Sequence, residues 1–310
     1  MRVFQPIPEW LRHSLTLTRV YDYGTDVERG VTTMKNLMHV LRAAAVFGAV
    51  AGFASAASAA GSCATGKTLK EGSLTIATGE PAYFPWVIDN KPEDGKGFEA
   101  AVAMEIAARL GFPADKVSWV RSTFDQAIQP GAKDYDFNLQ QYSITAERAK
   151  VIDFSTAYYT PAQAVLVSKP VVEAGAKPTV ESLKTLLWGA AEGTTQPVLI
   201  KKLIDPAKDL LFYNDVADSV AALKARQIDA VLMDLPSALY TAAVVLPDGV
   251  VLGQFEGSTD NSEGIGIVFE KGNALRDCVN EVLAAMTADG KLKAIEAEWL
   301  QTATGAPLIK

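Results

Sequence analysis

FNLQQYSITAERAKVIDFSTAYY, residues 137–159, is the stretch on which the reading of this chain turns. Phe137 to Leu139 is apolar and short, which reads as a buried strand. Gln140, Gln141 and Ser143 follow as a polar loop. Thr145 is suited to cap the next turn, so Thr145-Ala146-Glu147-Arg148 starts a short helix that carries Arg148. A strand that runs into a polar loop and a capped helix is the pattern by which open α/β sheets place polar groups at strand ends.

The same alternation extends outward. Upstream, KEGSLTIAT (70–78) gives a strand through Leu74 and Ile76, followed by the Gly/Pro-punctuated loop GEPAYFPWV (79–87). Gly97-Phe98-Glu99 opens an amphipathic helix in which Val102, Ile106 and Leu110 share a face, and Gly111 ends it. Val117 to Val120 is a strand, and Phe124 to Ile128 a short helix before Pro130. Downstream, Val165-Leu166-Val167 is a strand, and the stretch from Gly175 to Pro178 marks a change of unit. A second series then runs Leu186-Leu187-Trp188, Gly193-Thr194-Thr195-Gln196-Pro197, a helix from Asp218 to Ala225 and an apolar strand from Ile228 to Met233 that ends on Asp234. Pro236 opens a helix, Ile265 to Phe269 is a strand, and two amphipathic helices flank Gly290. The expectation is α/β with mostly parallel sheets.

Composition excludes several functions. The first 63 residues hold six of the 29 basic and four of the 36 acidic side chains, so the remainder carries a net charge of -9. An acidic body without a basic patch repels nucleic acid and anionic membranes. Both histidines, His13 and His39, precede the body, which excludes Ser-His-Asp and Cys-His catalysis and any His-ligated metal there. No cofactor is expected.

From Met34, Lys35 and Arg42 precede an uncharged run of apolar and small residues from Ala43 to Ala60, and Ala57-Ser58-Ala59 fits a cleavage signal. That order is a secretory signal peptide over 34–62, which sends the chain out of the cytoplasm. Residues 1–33 read as an extra N-terminal segment, and translation starting at Met34 accounts for them. Ala60-Gly61-Ser62-Cys63 resembles a lipobox, in which Cys63 is acylated and the protein held on the outer side of the membrane; the alternatives are a free Cys63 in the tail of a periplasmic protein, or a bond from Cys63 to Cys278. Cys278 lies on the helical face Leu275-Cys278-Val282 and is expected to be a buried apolar residue.

The run S-I-T-x-E-R followed by D-F-S-x-x-Y-Y in residues 143–159 closely resembles the signature of bacterial family 3 extracellular solute-binding proteins, which deliver polar amino acids to ABC transporters. GKGFEAAVAMEIAARLG (95–111) resembles the family's first helix, and residues 263–300 its C-terminal segment. The resemblance implies the periplasmic-binding-protein type 2 fold: two α/β lobes joined by two crossover strands, with the ligand in the cleft and hinge closure over it. Lobe 1 is then 70–165 plus 256–310, and lobe 2 is 166–255.

It also implies a site. Arg148 matches the carboxylate-binding arginine and Asp234 the ammonium-binding aspartate; taken on its own, Arg148 would rather be a solvated helix residue pairing with Glu147 or Asp153, and Asp234 a helix cap. Ser143, Thr194 and Thr195 match positions that meet the ligand through backbone and hydroxyl groups. Gln140 and Gln141 stand where the family has small residues, so their amides either bind the ligand's side chain or narrow the cleft. Glu80 stands where binders of basic amino acids have an acid, the alternative being a solvated loop glutamate; Tyr83 or Trp86 is the stacking aromatic, Phe84 equally a packing residue, and Phe124 a weaker wall residue. The expected partner is an ABC permease, and the expected state a monomer. An enzyme on the same fold, a dehydratase resembling cyclohexadienyl dehydratases, would need Glu80 or Glu192 as a general acid; a sensor ectodomain is the third reading.

Overall fold

The computed structural model describes residues 63–255, 264–300 and 306–310. The signal-like segment 34–62 and the segment 1–33 lie outside the described residues.

The strands, in chain order, are β1 (Leu74–Gly79), β2 (Val117–Ser122), β3 (Phe137–Asn138), β4 (Asp153–Phe154), β5 (Gln163–Ser168), β6 (Trp188–Ala191), β7 (Leu211–Tyr213), β8 (Ala230–Asp234), β9 (Gly249–Phe255) and β10 (Val268–Phe269). They form two sheets, ordered β2-β1-β3-β10-β4 and β7-β6-β8-β5-β9. The principal helices are α1 (Phe98–Arg109), α2 (Phe124–Ile128), α3 (Gln196–Leu203), α4 (Val216–Lys224), α5 (Leu235–Tyr240), α6 (Leu275–Ala288) and α7 (Lys291–Leu300). This is the two-lobed type 2 binding-protein fold.

The sheets are mixed rather than mostly parallel. β1 runs parallel to β2 and β3, and β6 to β7 and β8. However, β10 is antiparallel to β3 and β4, and β5 is antiparallel to β8 and β9. The reason is topological: a chain that leaves one lobe and re-enters it later arrives from the far side, without the crossover helix that a parallel pairing needs.

Each lobe has its own core. In the first, Val102 and Ile106 of α1 pack with Trp86, Phe98, Phe137, Phe269 and the α6 residues Val279 and Leu283. In the second, β5 buries both faces. Val165 and Val167 enter one cluster with Trp188 and Leu232, while Ala164 and Leu166 enter another with Val231 and Met233. A strand covered on both sides reads as an unbroken apolar run, which is how QAVLVS is written.

Boundaries differ from the sequence reading in two places. Gln163 to Val165, assigned to lobe 1, pair with β8 and β9 and so lie in the second sheet. The last five residues also return to that sheet: Gln254 N–H donates to Pro307 O, Ile309 N–H to Gln254 O, and Val180 N–H to Lys310 O. The described segments therefore alternate between the lobes: 63–154 in lobe 1, 163–255 in lobe 2 with 155–162 as the first crossing, 264–300 in lobe 1 and 306–310 in lobe 2.

The lipidation reading of Cys63 is corrected. Cys63 is bonded to Cys278, with Cα atoms 5.8 Å apart, and a sulfur in a disulfide has no valence left for an acylglyceryl thioether. Cys278 is buried as expected, 1% exposed, but as half of this bridge. The bridge spans 215 residues of sequence and pins the start of the described chain to α6. A cross-link over so long a loop restricts the unfolded chain strongly. Cys278→Ser is expected to lower unfolding stability by about 2–4 kcal/mol, read by denaturant titration, and reductant should have the same effect on the parent protein. Equal stability with and without reductant would show that the bridge does not form.

Candidate functional site

The ends of β1, β3, β6 and β8 open toward one another, and each strand hands over to a loop or helix that carries polar groups. The lobes meet there. Ser143 Oγ lies 3.3 Å from Thr195 Oγ1. Trp86 Nε1 donates to Ser237 Oγ at 2.8 Å, and the Phe84 ring stacks on Tyr240 at 4.4 Å. These contacts join lobe 1 to lobe 2, so the cleft is closed.

Arg148 is placed by the turn that begins at Thr145, whose Oγ1 accepts Arg148 N–H at 3.2 Å. Its guanidinium donates to Ser143 O at 2.9 Å and, across the cleft, to Gly193 O at 2.8 Å. The Phe124 ring sits 5.2 Å from the guanidinium carbon and is itself packed on Tyr142. Burial pulls the Arg148 pKa down, with Tyr142 and Asp125 opposing. Neither candidate surface partner takes it: Glu147 pairs with Lys150, and Asp153 with Lys271 and Arg276. A planar fork that makes hydrogen bonds to carbonyls, while among the described residues no carboxylate pairs with it, keeps donors for an anion.

Asp234 ends β8 and caps α5, Oδ1 accepting Ser237 N–H at 2.8 Å. The cap is real, and Ser237 meets the carboxylate through both its backbone and its side chain. Burial lifts Asp234 to about 6, with the Ser237 hydrogen bonds opposing. Opposite it in the β5–β8 ladder stands Gln163, whose Oε1 is buried without a partner. Gln196, first in α3, has the same kind of orphaned carbonyl oxygen. Buried acceptors left unpaired are costly and need a donor.

The remaining expected residues divide. Thr195 meets Ser143, but the Thr194 hydroxyl donates back to Ala191 O at 2.7 Å and serves the turn. Gln140 accepts Tyr142 O–H and lies against Gly79, where an added Cβ would fall 2.6 Å from its amide nitrogen. Glu80 turns out of the cleft: it is 55% exposed and 3.6 Å from Arg121, which also binds Gly79 O and Asn90. Tyr83 faces α4, whose Asp215 and Asp218 add to burial in raising its pKa. Trp86 is not a stacking platform. It is 0% exposed, packed edge-on to Phe98 and Tyr159, so neither face is open. The loop's open ring is Phe84.

Sequence reading missed Glu99. It is 1% exposed and accepts three hydrogen bonds: Gln141 N–H at 2.8 Å, the Gln141 amide, and Tyr158 O–H. Burial raises it to about 7; these donors oppose, and Asp234 adds to the rise. The signal was in the helix: Glu99 lies three residues before Val102 and seven before Ile106, which puts a carboxylate on the apolar stripe.

The family model for bacterial extracellular solute-binding proteins, family 3, matches residues 74–302. The chain is 29% identical to the L-cystine-binding protein TcyJ of Escherichia coli, over 75% of this chain and 84% of that protein. It is 30% identical to the ABC transporter glutamine-binding protein GlnH of Bacillus subtilis, over 68% and 75%. Among solved structures, an ancestral arginine-binding protein bound to arginine superposes with a TM-score of 0.61 at 28% identity, covering 74% of this chain and 99% of that one. With the signature's arginine and the aspartate at the end of β8 facing one closed cleft, the chain belongs to the bacterial extracellular solute-binding proteins of family 3.

Proposed function

We propose that this protein captures a free polar amino acid outside the cytoplasm and presents it to the permease of an ABC importer. The observation that carries the reading is the half-buried Arg148 guanidinium, held by carbonyls from both lobes and, among the described residues, with no carboxylate paired to it, in the same closed cleft as Asp234. A zwitterion stripped of water needs one fixed cation and one fixed anion. Arg148 receives its carboxylate, assisted by the N-terminus of α3 after Thr195, and Asp234 receives its ammonium. The cystine, glutamine and arginine binders to which the chain is similar support a polar ligand.

Capture follows from the closure contacts. Ligand settles on the lobe 1 loop at Ser143 and Arg148, and closure brings Gly193, Thr195 and Asp234 onto it. No bond is broken. The closed surface is what the permease receives.

Arg148→Ala is expected to weaken binding by about 3 kcal/mol, more than a hundredfold, by calorimetry against a panel of the common amino acids with ornithine and citrulline. Undiminished affinity would remove Arg148 from the site.

The pH dependence has a definite sign. Asp234 lies near 6 in the empty cleft and must be ionised to pair an ammonium. Below that pH, binding has to expel a proton, so affinity falls by up to about tenfold per pH unit. Asp234→Asn should weaken binding at pH 8 and remove the part of the slope centred near 6. For the unliganded closed form the sign is opposite: a raised carboxyl favours it at low pH, and that contribution is lost as pH rises through 6.

Closure itself can be blocked at one position. Gly193 has φ +70°, and a Cβ there would fall 2.3 Å from Asp125 Oδ1 on the other lobe. Because a small turn of the Asp125 carboxylate can clear a single methyl, the test is Gly193→Val, whose branched side chain is strained at this φ and fills the gap; it is expected to keep the protein open in small-angle scattering with saturating ligand. Full compaction would show that the lobes do not meet at this point.

A further inference from the structure

Glu99 is a buried acid for which the capture of a zwitterion has no use. Its carboxylate is 1% exposed in the first turn of α1, and its partners are unusual for a structural acid. Among the described residues it pairs with no cation. Instead it receives both the backbone N–H and the side-chain amide of Gln141, a residue held at φ +49°, together with the Tyr158 hydroxyl. The carboxylate therefore fixes both the backbone and the side chain of one residue in the ligand loop.

We propose that Glu99 is a positioning residue that sets ligand selectivity by dictating which end of the Gln141 amide the cleft is offered. This deepens the capture reading above and rests on it. An ionised carboxylate only accepts hydrogen bonds. The edge of the Gln141 amide that meets it must be the NH2 group, and the carbonyl oxygen Oε1 is the end left over. Gln141 is only half-buried, and among the described residues its Oε1 has no hydrogen-bond partner. Gln141 stands two residues before Ser143, whose Oγ lies 3.3 Å from Thr195 Oγ1 across the closed cleft. A carbonyl oxygen held there takes a donor. The site then selects amino acids whose side chains end in N–H groups, such as a guanidinium, an ammonium or a carboxamide, and rejects those ending in a carboxylate. The charges agree: Arg148 and Asp234 balance a zwitterion, and Glu99 leaves one negative charge over for a cationic side chain. This role falls to Glu99 and Gln141, whereas Glu80 is turned toward Arg121.

Glu99→Gln tests the idea because it keeps shape and inverts the code. The introduced amide would present an NH2 group, Gln141 would turn over to accept it, and the cleft would be offered a donor. The readout is two ratios of dissociation constants between near-isosteric ligands, glutamine against glutamate and asparagine against aspartate. They are measured at pH 8, above the value of about 7 to which burial lifts Glu99. The parent protein should prefer glutamine and asparagine, each by about tenfold or more, the scale of one misdirected buried hydrogen bond. In Glu99→Gln both ratios should fall by about tenfold or more. The exchanged double variant Glu99→Gln/Gln141→Glu keeps every hydrogen bond and again offers an acceptor, so it should restore the preference; it also serves if the single variant does not fold. Ratios that stay at the parent values in Glu99→Gln, a parent that prefers glutamate and aspartate, or a double variant with reversed preference would overturn the proposal. A parent that binds no amino acid overturns the capture reading instead, and this inference with it.

Discussion

Taking a guanidinium out of water costs several kcal/mol unless its N–H groups are matched, and that constraint organises this molecule. Arg148 reaches the interior of the cleft only because two carbonyls await it, one from its own loop at Ser143 and one from the opposite lobe at Gly193. In an open form the second carbonyl is gone, and water must take its place. The desolvation of the charge and the closure of the lobes are therefore one event. Other local choices follow: Thr145 caps the turn that aims the side chain, Phe124 lies against the guanidinium, and position 193 favours glycine because its φ is +70° and Asp125 crowds the place of a Cβ.

The acids of the cleft complete this logic. Burial lowers the pKa of Arg148 and raises those of Asp234 and Glu99, so every charge in the empty closed site is disfavoured. Such a site opposes its own closure until counter-charges arrive. A ligand that brings a carboxylate to Arg148 and an ammonium to Asp234 makes its best contacts only in the closed state, and this difference is what shifts the population. The orphaned carbonyl oxygens of Gln163 and Gln196 act in the same direction, as acceptors that an empty site leaves unanswered.

How much of this is legible in the sequence depends on the length scale of the signal. The helix α1, the apolar β5 and β8, and the polar loop after β3 are written in local periodicity and read directly. The strands β4 and β7 are only two and three residues long, and β9 is interrupted by Gly253 and Gln254, so no period develops. Antiparallel pairing of β5 and β10 depends on where the chain re-enters a lobe, which no window of residues contains. At the site, Arg148 and Asp234 carry a motif. Trp86 and Phe84 sit in one loop, and only packing shows that the larger ring faces the core while the smaller one meets Tyr240. Glu80 looked like a side-chain anchor by position; Arg121, distant in sequence, turns it outward. Glu99 was visible as a charge on an apolar stripe, but its partner Gln141 was not. The Cys63–Cys278 bond likewise joins residues too far apart for spacing to connect.

The hinge and the site share backbone. Ile265, arriving from lobe 2, bridges Tyr159 on the outgoing crossing and Ser143 in the ligand loop, and Ile144 N–H donates to Gly264 O. Tyr158, on the same crossing, donates to Glu99, which in turn holds Gln141. The loop that carries Arg148 is thus laddered directly onto the segments that must bend when the lobes part. Coupling between ligand and closure needs no long lever here, because a contiguous hydrogen-bonded unit is biased by both. The ends of the described chain leave the bend to those segments: Cys63 is tied into lobe 1 through α6, and Pro307 to Lys310 are tied into lobe 2 through β9 and Val180. With each lobe held rigid in this way, the change that a ligand imposes at Ser143 is transmitted to the crossings rather than dissipated within a lobe.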